Sequence, residues 1–446
     1  MQSALNTAAI PHARWIRIVS PAIIIYIVSY MDKMNIGFAM AGGMNEELRL
    51  SMAVAGFAAG MYFIGTMVLQ VPAGHIAEHG SAKKFIQYSI IAWGGLSFLT
   101  GFVQNAWQLI AMRFLLGVAE GGVYPVVLII VSNWFPRKEL GRANAVCLMG
   151  LALAAVLTNP LSGWLIARFG WRWLFFGEGL ISLATIFVWF PLISDHPADA
   201  KWISREEKDY LVTTLAAEKA ERVAAASEQS GRATWSYKEI LANKHLWLLT
   251  AIYTCACTGQ WGYIFWLPTL VKKLTKASLT NVGLLSALPF IAAIGGLYIF
   301  GALSDRKGNR RLCTATCLSS FGICFWIAAQ FPTYIWLSCI LLVLTGVFTK
   351  AWQGTFWAMP DLVLAPGVSG AARGGINAIG NLGGFIGPAL VGLVATKTGT
   401  MTYGVYSLSA VLILGGIITM FLPKVTAGYK YKAEAKAADR EKATAS

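Results

Sequence analysis

The stretch Gly74-His-Ile-Ala-Glu78-His-Gly80-Ser-Ala-Lys83-Lys84 and the stretch Gly301-Ala-Leu-Ser-Asp305-Arg306-Lys307-Gly308 each close a long apolar run. Both contain a glycine and, four positions later, an acid, and they are separated by 227 residues (301 − 74 = 227). Two further pairs have nearly the same separation: Arg142 with Arg373 (373 − 142 = 231) and Pro160 with Pro388 (388 − 160 = 228). Three landmarks at nearly one separation indicate two similar halves in parallel orientation.

The composition is that of a membrane protein. Of the 446 residues, 56% are hydrophobic and 13% are charged, whereas about 25% of the residues of a soluble domain are charged. An ordinary soluble enzyme is therefore excluded. The net charge of +15 comes from basic residues spread over many short loops, which membrane topology explains better than nucleic-acid binding does. The seven Cys residues have no nearby His or carboxylate partners, so we predict no metal site, no disulfide and no cofactor.

Twelve runs are long enough to cross a bilayer, which requires about 20 mostly apolar residues. We number these predicted spans helices 1 to 12. They begin near Trp15, Met52, Phe85, Trp107, Ala143, Trp173, His245, Leu279, Leu312, Tyr334, Gly370 and Met401. The sequence therefore predicts an all-α membrane protein with two six-helix halves.

A polar stretch after helix 6 divides the chain into four predicted regions. These are an N-terminal bundle at 1–193, a linker at 194–244, a C-terminal bundle at 245–423 and a tail at 424–446. The mixed charges of the linker suggest a solvated tether. Most basic residues fall in the linker, the tail and the loops of one side, so we predict that both termini are cytoplasmic. We also expect the protein to be a monomer in the cell (inner or plasma) membrane. Lys272, Lys273 and Lys276 are the main exceptions.

Further motifs give a resemblance to a known family. Tyr30-Met-Asp32-Lys33-Met-Asn35-Ile-Gly37 in helix 1, Arg113-x3-Gly117-x2-Glu120 in helix 4 and Gly170-Trp-Arg172 before helix 6 resemble the anion:cation symporter family of the major facilitator superfamily. The two stretches quoted first resemble the repeated loop motif of that superfamily. The resemblance covers essentially all twelve helices. It implies the major facilitator fold, and its members include bacterial permeases for sugar acids, tartrate, phthalate and 4-hydroxyphenylacetate.

The resemblance also implies roles for individual residues. It places helices 1, 4, 7 and 10 around a central cavity and makes Asp32 and Glu120 the proton-binding acids. The loop motifs imply two gating pairs that close the inner side while the outer side is open. These pairs are Glu78 with Arg142 and Asp305 with Arg373.

Charged residues within the spans point to the same cavity. Each costs about 2.5 to 3.5 kcal/mol at the bilayer centre, so each needs a partner, a cavity or a function. Five of them fall on helices 1, 4 and 10: Asp32, Lys33, Arg113, Glu120 and Lys350. Because Arg113 and Glu120 share one helix face, either Asp32–Arg113 or Lys33–Glu120 ion pairs are feasible. No acid lies within helices 7 to 12 to neutralise Lys350, so we predict that the substrate supplies its counter-charge.

Other polar or aromatic side chains are candidates for substrate contact. They are Trp261 and Tyr263 in helix 7, Gln353 in helix 10 and Asn377 in helix 11. For each of them, packing between helices or at the membrane interface is the alternative interpretation.

The charges also predict the function. All five His residues lie in tails, loops or a helix end, so carboxylates must carry a coupling proton. Lys33, Arg113 and Lys350 against two ionised acids give the cavity a charge of +1, and protonation of both acids raises it to +3, the field that an anion requires. We predict a proton-coupled symporter, not an enzyme, that imports a small organic anion, an aromatic or hydroxylated carboxylate, by alternating access. Sugar-acid or dicarboxylate (tartrate-like) symport and uncoupled transport are alternatives, and sodium coupling stays open.

Overall fold

The computed structural model describes residues 13–229, 241–331, 333–364 and 369–423, which form helices and connecting loops. Twelve long helices follow one another in the predicted order, and each begins within six residues of its predicted start. Their bounds are Trp15–Glu47 (helix 1), Met52–His79 (2), Ala82–Thr100 (3), Ala106–Trp134 (4), Arg137–Phe169 (5), Trp171–Leu192 (6), Lys244–Thr275 (7), Leu279–Lys307 (8), Arg310–Ala328 (9), Ile335–Trp357 (10), Ser369–Gly380 continued by Leu382–Thr398 (11) and Met401–Thr419 (12). The prediction of twelve membrane-spanning helices is confirmed.

Local capping fixes where the helices begin, and short turns make consecutive helices antiparallel. The Asn105 side chain accepts a hydrogen bond from the Gln108 amide (3.0 Å) at the start of helix 4. Ser51 accepts one from the Val54 amide (3.3 Å) at the start of helix 2, so each cap satisfies an amide that has no partner inside its helix. Helices 5 and 6 meet at Gly170, whose φ of +87° is open to glycine at little cost.

The helix contacts repeat between the two halves. In the N-terminal half, helix 1 packs on 5, helix 2 on 4 and helix 3 on 6. In the C-terminal half, helix 7 packs on 11, helix 8 on 10 and helix 9 on 12. These are the same three pairings shifted by six helices, as a duplication requires. The halves contact each other mainly through helix 2 with helix 11 and helix 5 with helix 8.

The two halves are closed against each other at one end of the bundle. We call this end, where helix 1 ends and helix 2 begins, the far end; the linker end is where helix 6 ends and helix 7 begins. The Ala53 amide donates to Thr396 Oγ1 (2.8 Å), and Lys272 Nζ donates to the Ala41 carbonyl (2.6 Å). Gly56 lies directly against the Pro388 carbonyl, where a Cβ would clash with the backbone of helix 11.

The linker ends of the same helices are apart. A Cβ at Gly74 of helix 2, Gly141 of helix 5, Gly301 of helix 8 or Gly374 of helix 11 would meet no atom within 4 Å beyond its own helix. Between the described parts of the two halves, the hydrogen bonds all lie toward the far end. The protein is therefore closed at the far end and open at the linker end.

The linker differs from the predicted tether. Residues Arg205–Gln229 form a helix, and its Glu207 is fully buried against the N-terminal half. Arg14 Nη1 donates to Glu207 (2.6 Å), and Arg14 Nη2 donates to Glu139 at the start of helix 5 (2.8 Å). The Trp202 ring stacks on Trp134 at 5.0 Å. The charge pattern of the linker is typical of a solvated helix, yet one of its acids, Glu207, is buried and anchors the helix to the bundle.

Candidate substrate and proton site

Helices 1, 4 and 10 bring the five charged residues predicted from sequence to the middle of the bundle, with side chains from helices 2, 3, 6 and 7 around them. Asp32 and Arg113 have no exposed surface and Glu120 is 4% exposed. In the described part of the chain, none of the five forms an ion pair within 4.0 Å. The Asp32–Arg113 and Lys33–Glu120 ion pairs that the spacing permitted are therefore absent in this conformation. Each group has other contacts instead.

Asp32 is held by hydroxyl groups from two neighbouring helices. Ser97 Oγ of helix 3 donates to Asp32 Oδ1 (2.5 Å), and Ser182 Oγ of helix 6 donates to Asp32 Oδ2 (2.8 Å). Neutral hydroxyls can stay hydrogen-bonded to a carboxyl whether it is ionised or protonated, because a hydroxyl both donates and accepts. The arrangement suits a carboxyl that changes protonation state.

Glu120 lies at the end of the first segment of helix 4. Its Oε2 accepts hydrogen bonds from Tyr62 (2.5 Å) and Ser29 (3.1 Å). Its Oε1 is buried and has no hydrogen-bond partner. A buried oxygen without a partner is costly when the carboxyl is charged, so one oxygen of Glu120 is free to receive a proton.

Arg113 connects helix 4 to helix 1. Its Nη1 donates to the Asp32 carbonyl (3.3 Å) and its Nη2 donates to the Lys33 carbonyl (3.4 Å). Its Cζ lies 5.1 Å from the centre of the Tyr62 ring. The Nε atom is buried without a partner, so the guanidinium has unused donors for an anion.

Lys33 lies among aromatic rings. Its Nζ is 5.2 Å from the Tyr62 ring, 5.4 Å from Trp261, 5.8 Å from Tyr30 and 6.0 Å from Phe63. These distances are within the range of cation–π attraction, which reaches about 2 kcal/mol for a desolvated cation. Trp261 belongs to helix 7, so the rings around this N-terminal lysine come from both halves. We call these four rings the aromatic cage.

Lys350 of helix 10 contacts the residue next to Trp261. When the Gln260 amide is oriented so that both of its ends are satisfied, Nε2 donates to the Thr349 carbonyl (2.9 Å) and Oε1 accepts from Lys350 Nζ (3.1 Å). The consecutive residues Gln260 and Trp261 therefore contact one cation from each half.

The remaining predicted contact residues differ in whether they lie near the charged cluster. Gln353 is half-buried, with its amide nitrogen 3.5 Å from the Gln260 amide, and so lies beside Lys350. Asn377 Oδ1 accepts from Tyr253 (3.0 Å), an interhelical bond. Tyr263 is fully buried, and its hydroxyl donates to the Leu342 carbonyl (2.8 Å). The structure thus brings Trp261 and Gln353 to the charged cluster and gives Asn377 and Tyr263 contacts between helices.

The predicted gating residues lie at the open linker end and have other neighbours there. The Arg142 Cζ is 5.2 Å from the Trp15 ring. Asp305 faces Arg310 (3.7 Å), and Arg373 Nη2 donates to the Trp357 carbonyl (2.9 Å). The predicted pairs, Glu78 with Arg142 and Asp305 with Arg373, would form only when the linker end is closed. They therefore stay a prediction for the conformation that is open at the far end.

Comparison with known proteins gives the family. The sequence matches the Major Facilitator Superfamily over residues 22–388 and 271–445. This chain belongs to the major facilitator superfamily. Its fold agrees: a bacterial homolog of the human lysosomal transporter Spinster, in an inward-facing and occupied conformation, superimposes with a TM-score of 0.71 over 94% of this chain and 96% of that chain, at 15% identity.

Curated relatives in the superfamily span nearly the same length. The "Putative tartrate transporter" of Agrobacterium vitis is 33% identical over 92% of this chain and 93% of that protein. The "Inner membrane transport protein RhmT" of Escherichia coli (strain K12) is 30% identical over 95% and 97% of the two chains. The resemblance stated from the motifs is confirmed, and the chain is a multi-pass membrane transporter.

Several residues of this major facilitator site were not among those predicted. Ser97, Ser182 and Tyr62 hold the two acids, and Asn35 donates to a third buried acid, Glu178 (2.5 Å). Serine is common in membrane helices as an interhelical contact, so the presence of Ser97 and Ser182 gave no specific signal. The contact of Tyr62 with Glu120 depends on how helices 2 and 4 pack, which a single sequence does not specify.

Proposed function

We propose that this chain is a proton-coupled symporter that imports a small hydroxylated carboxylate across the cell membrane by alternating access, with the open linker end facing the cytoplasm. A substrate with two carboxylates, as in tartrate, suits the site best. The similarity to the putative tartrate transporter of Agrobacterium vitis supports a hydroxylated carboxylate as the substrate. The positions of the two lysines support the second carboxylate.

The observation that carries this proposal is that one lysine from each half, Lys33 and Lys350, lies next to two consecutive residues of helix 7, Trp261 and Gln260. Lys33 comes from helix 1 and lies near the Trp261 ring, and Lys350 comes from helix 10 and donates to Gln260. Neither has a carboxylate within 4.0 Å in the described part of the chain. An anion with a carboxylate at each end would neutralise both lysines and would also contact the unused donors of Arg113. Such a ligand would draw the two halves together.

Asp32 and Glu120 are the proposed proton carriers. Both are buried near Arg113 and Lys33, and both are hydrogen-bonded by hydroxyl groups that tolerate either protonation state. Protonation removes negative charge from the cavity and so strengthens its attraction for the anion. Release of the protons to the cytoplasm restores that negative charge and favours release of the substrate.

An aromatic carboxylate is the second candidate. Trp261 offers a ring at the cavity, yet its face already lies near Lys33, and Tyr263 is committed to the Leu342 carbonyl. An aromatic substrate would have to displace Lys33 from the aromatic cage. A hydroxylated dicarboxylate has no ring that would compete with Lys33 for the aromatic cage, so it is the favoured substrate class.

The test is uptake into proteoliposomes under an imposed pH gradient, with tartrate, sugar acids, a dicarboxylate without hydroxyls and aromatic monocarboxylates as substrates. We expect accumulation of tartrate-like acids with entry of protons. Glu120→Gln should abolish accumulation and retain exchange, because the amide imitates the protonated acid. Glu206→Gln, in the exposed face of the linker helix, is the matched control. Full accumulation by Glu120→Gln would disprove its role, and uptake that needs sodium instead of the pH gradient would disprove proton coupling.

A further inference from the structure

The far end of the C-terminal half carries positive charge without a counter-charge. Lys272, Lys273 and Lys276 end helix 7, and Lys397 is in the last turn of helix 11. Between residues 244 and 423 the sequence contains two acids, Asp361 after helix 10 and Asp305. Asp305 lies in the last turn of helix 8, which corrects the prediction that helices 7 to 12 contain no acid. Both positions belong to the linker end. These lysines also run against the charge rule that fixes membrane orientation, so their presence calls for an anionic partner.

An apolar cleft of about 900 Å³ lies beside these lysines. It is formed where helix 7 ends and helices 8 and 10 begin, and Thr275 and Ala277, the two neighbours of Lys276, line it. Lys273 and Lys276 are exposed, whereas Lys272 is bonded to the Ala41 carbonyl. The volume falls within the range of about 300 to 1,000 Å³ that is typical of sites for small molecules.

The cleft opens onto the surface that faces lipid. Its wall includes Leu284 and Trp336, which are 53% and 79% exposed. The exposed face of helix 8 continues from Leu284 through Leu288 to Ile291 toward the bilayer centre. A ligand in this cleft can therefore have a long apolar part that follows helix 8 and a charged part beside the lysines.

We propose that this cleft binds an anionic phospholipid from the leaflet at the far end. An acyl chain occupies the apolar cleft between helices 8 and 10, and Lys273 and Lys276 bind the phosphate and headgroup. The charge complementarity selects phosphatidylglycerol or cardiolipin over a zwitterionic lipid, whose own cation would meet the lysines. The site is independent of the central cavity and of the transported substrate.

The test uses the full-length protein in nanodiscs, with acyl-brominated phosphatidylglycerol or acyl-brominated phosphatidylcholine as the probe. Bromine quenches nearby tryptophan, and the difference between the wild type and Trp336→Phe isolates the signal of Trp336 from the 17 Trp residues. We expect stronger quenching of Trp336 by the phosphatidylglycerol probe. In titrations, Lys276→Gln should weaken its binding about fivefold, the effect of one basic residue near an anionic headgroup.

The matched control is Lys397→Gln, which removes the same charge at the same end of the protein but from helix 11, which contributes no residue to the lining of the cleft, whereas both neighbours of Lys276 line it. This variant should retain the wild-type quenching. Equal quenching of Trp336 by the two lipids would overturn the proposal and show an ordinary lipid-facing surface. Equal weakening by Lys276→Gln and Lys397→Gln would also overturn it, because it would show a diffuse surface charge without a bound lipid.

Discussion

Replacing Lys350 with methionine tests whether the C-terminal half supplies a charge to substrate recognition. The change keeps the length of the side chain and removes the ammonium. In the structure, one of the three donors of Lys350 is used by Gln260 Oε1 at 3.1 Å, and two are available to a carboxylate. A hydrogen bond to a charged group contributes about 1.5 to 3 kcal/mol, which corresponds to a loss of affinity of about 10- to 150-fold. We expect a loss in this range for a dicarboxylate and a much smaller loss for the matched monocarboxylate.

The assay is equilibrium binding of both acids to purified protein at one pH, with Lys397→Met as the control for the loss of a lysine at a distant exposed position. Thermal unfolding of each variant establishes that the fold is intact. Unchanged affinity for both acids in Lys350→Met would show that Lys350 does not contact the substrate. Equal losses for the dicarboxylate and the monocarboxylate would show that its charge acts on the cavity as a whole, and the proposed contact with a second carboxylate would be wrong.

Two other substitutions test other parts of the structure. Arg113→Lys should weaken binding of every transported anion by about tenfold or more, because lysine keeps the charge and loses the fork that contacts helix 1 and the substrate; wild-type affinity would make Arg113 a purely structural residue. Glu207→Gln should lower the midpoint of thermal unfolding, because loss of one partner of a buried ion pair costs about 3 to 5 kcal/mol, whereas Glu206→Gln, one position away and exposed, should leave it unchanged. Equal midpoints for the two glutamine variants would show that the pair with Arg14 does not anchor the linker helix.

The sequence was sufficient for the topology but not for the contacts inside the cavity. Twelve apolar runs and three landmarks at one separation specify two similar halves, because a helix must have a minimum length to cross a bilayer. The charges at Asp32, Arg113 and Glu120 indicated the site, since charge in a membrane is rare without a function. Which oxygen faces which donor depends on helix packing. For that reason Arg113 could be assigned to the Asp32 carboxylate by spacing, whereas the structure has it on the backbone carbonyls of helix 1.

The linker gives a second example of a contact that could not be predicted from the sequence. Residues 205–209 read as Arg-Glu-Glu-Lys-Asp, and charge alone cannot distinguish Glu206, which is exposed, from Glu207, which is buried. The distinction arises from Arg14, nearly 200 positions earlier in the chain, which lies at the start of helix 1 and meets Glu207 only in the folded bundle. A single sequence contains no signal for a pair so far apart.

The aromatic cage stabilises the charge of Lys33. Without an anion, Lys33 would be a desolvated charge with no acid within 4.0 Å in the described part of the chain. Four ring faces partly replace the missing counter-charge, each with an attraction of about 0.5 to 2 kcal/mol, and one of them, Trp261, belongs to the other half. Rocking of the halves about the site must therefore change the distance between Lys33 and Trp261. A substrate carboxylate beside Lys33 would supply the counter-charge that the rings replace only in part, so a bound anion would keep the charge of Lys33 stabilised while this distance changes.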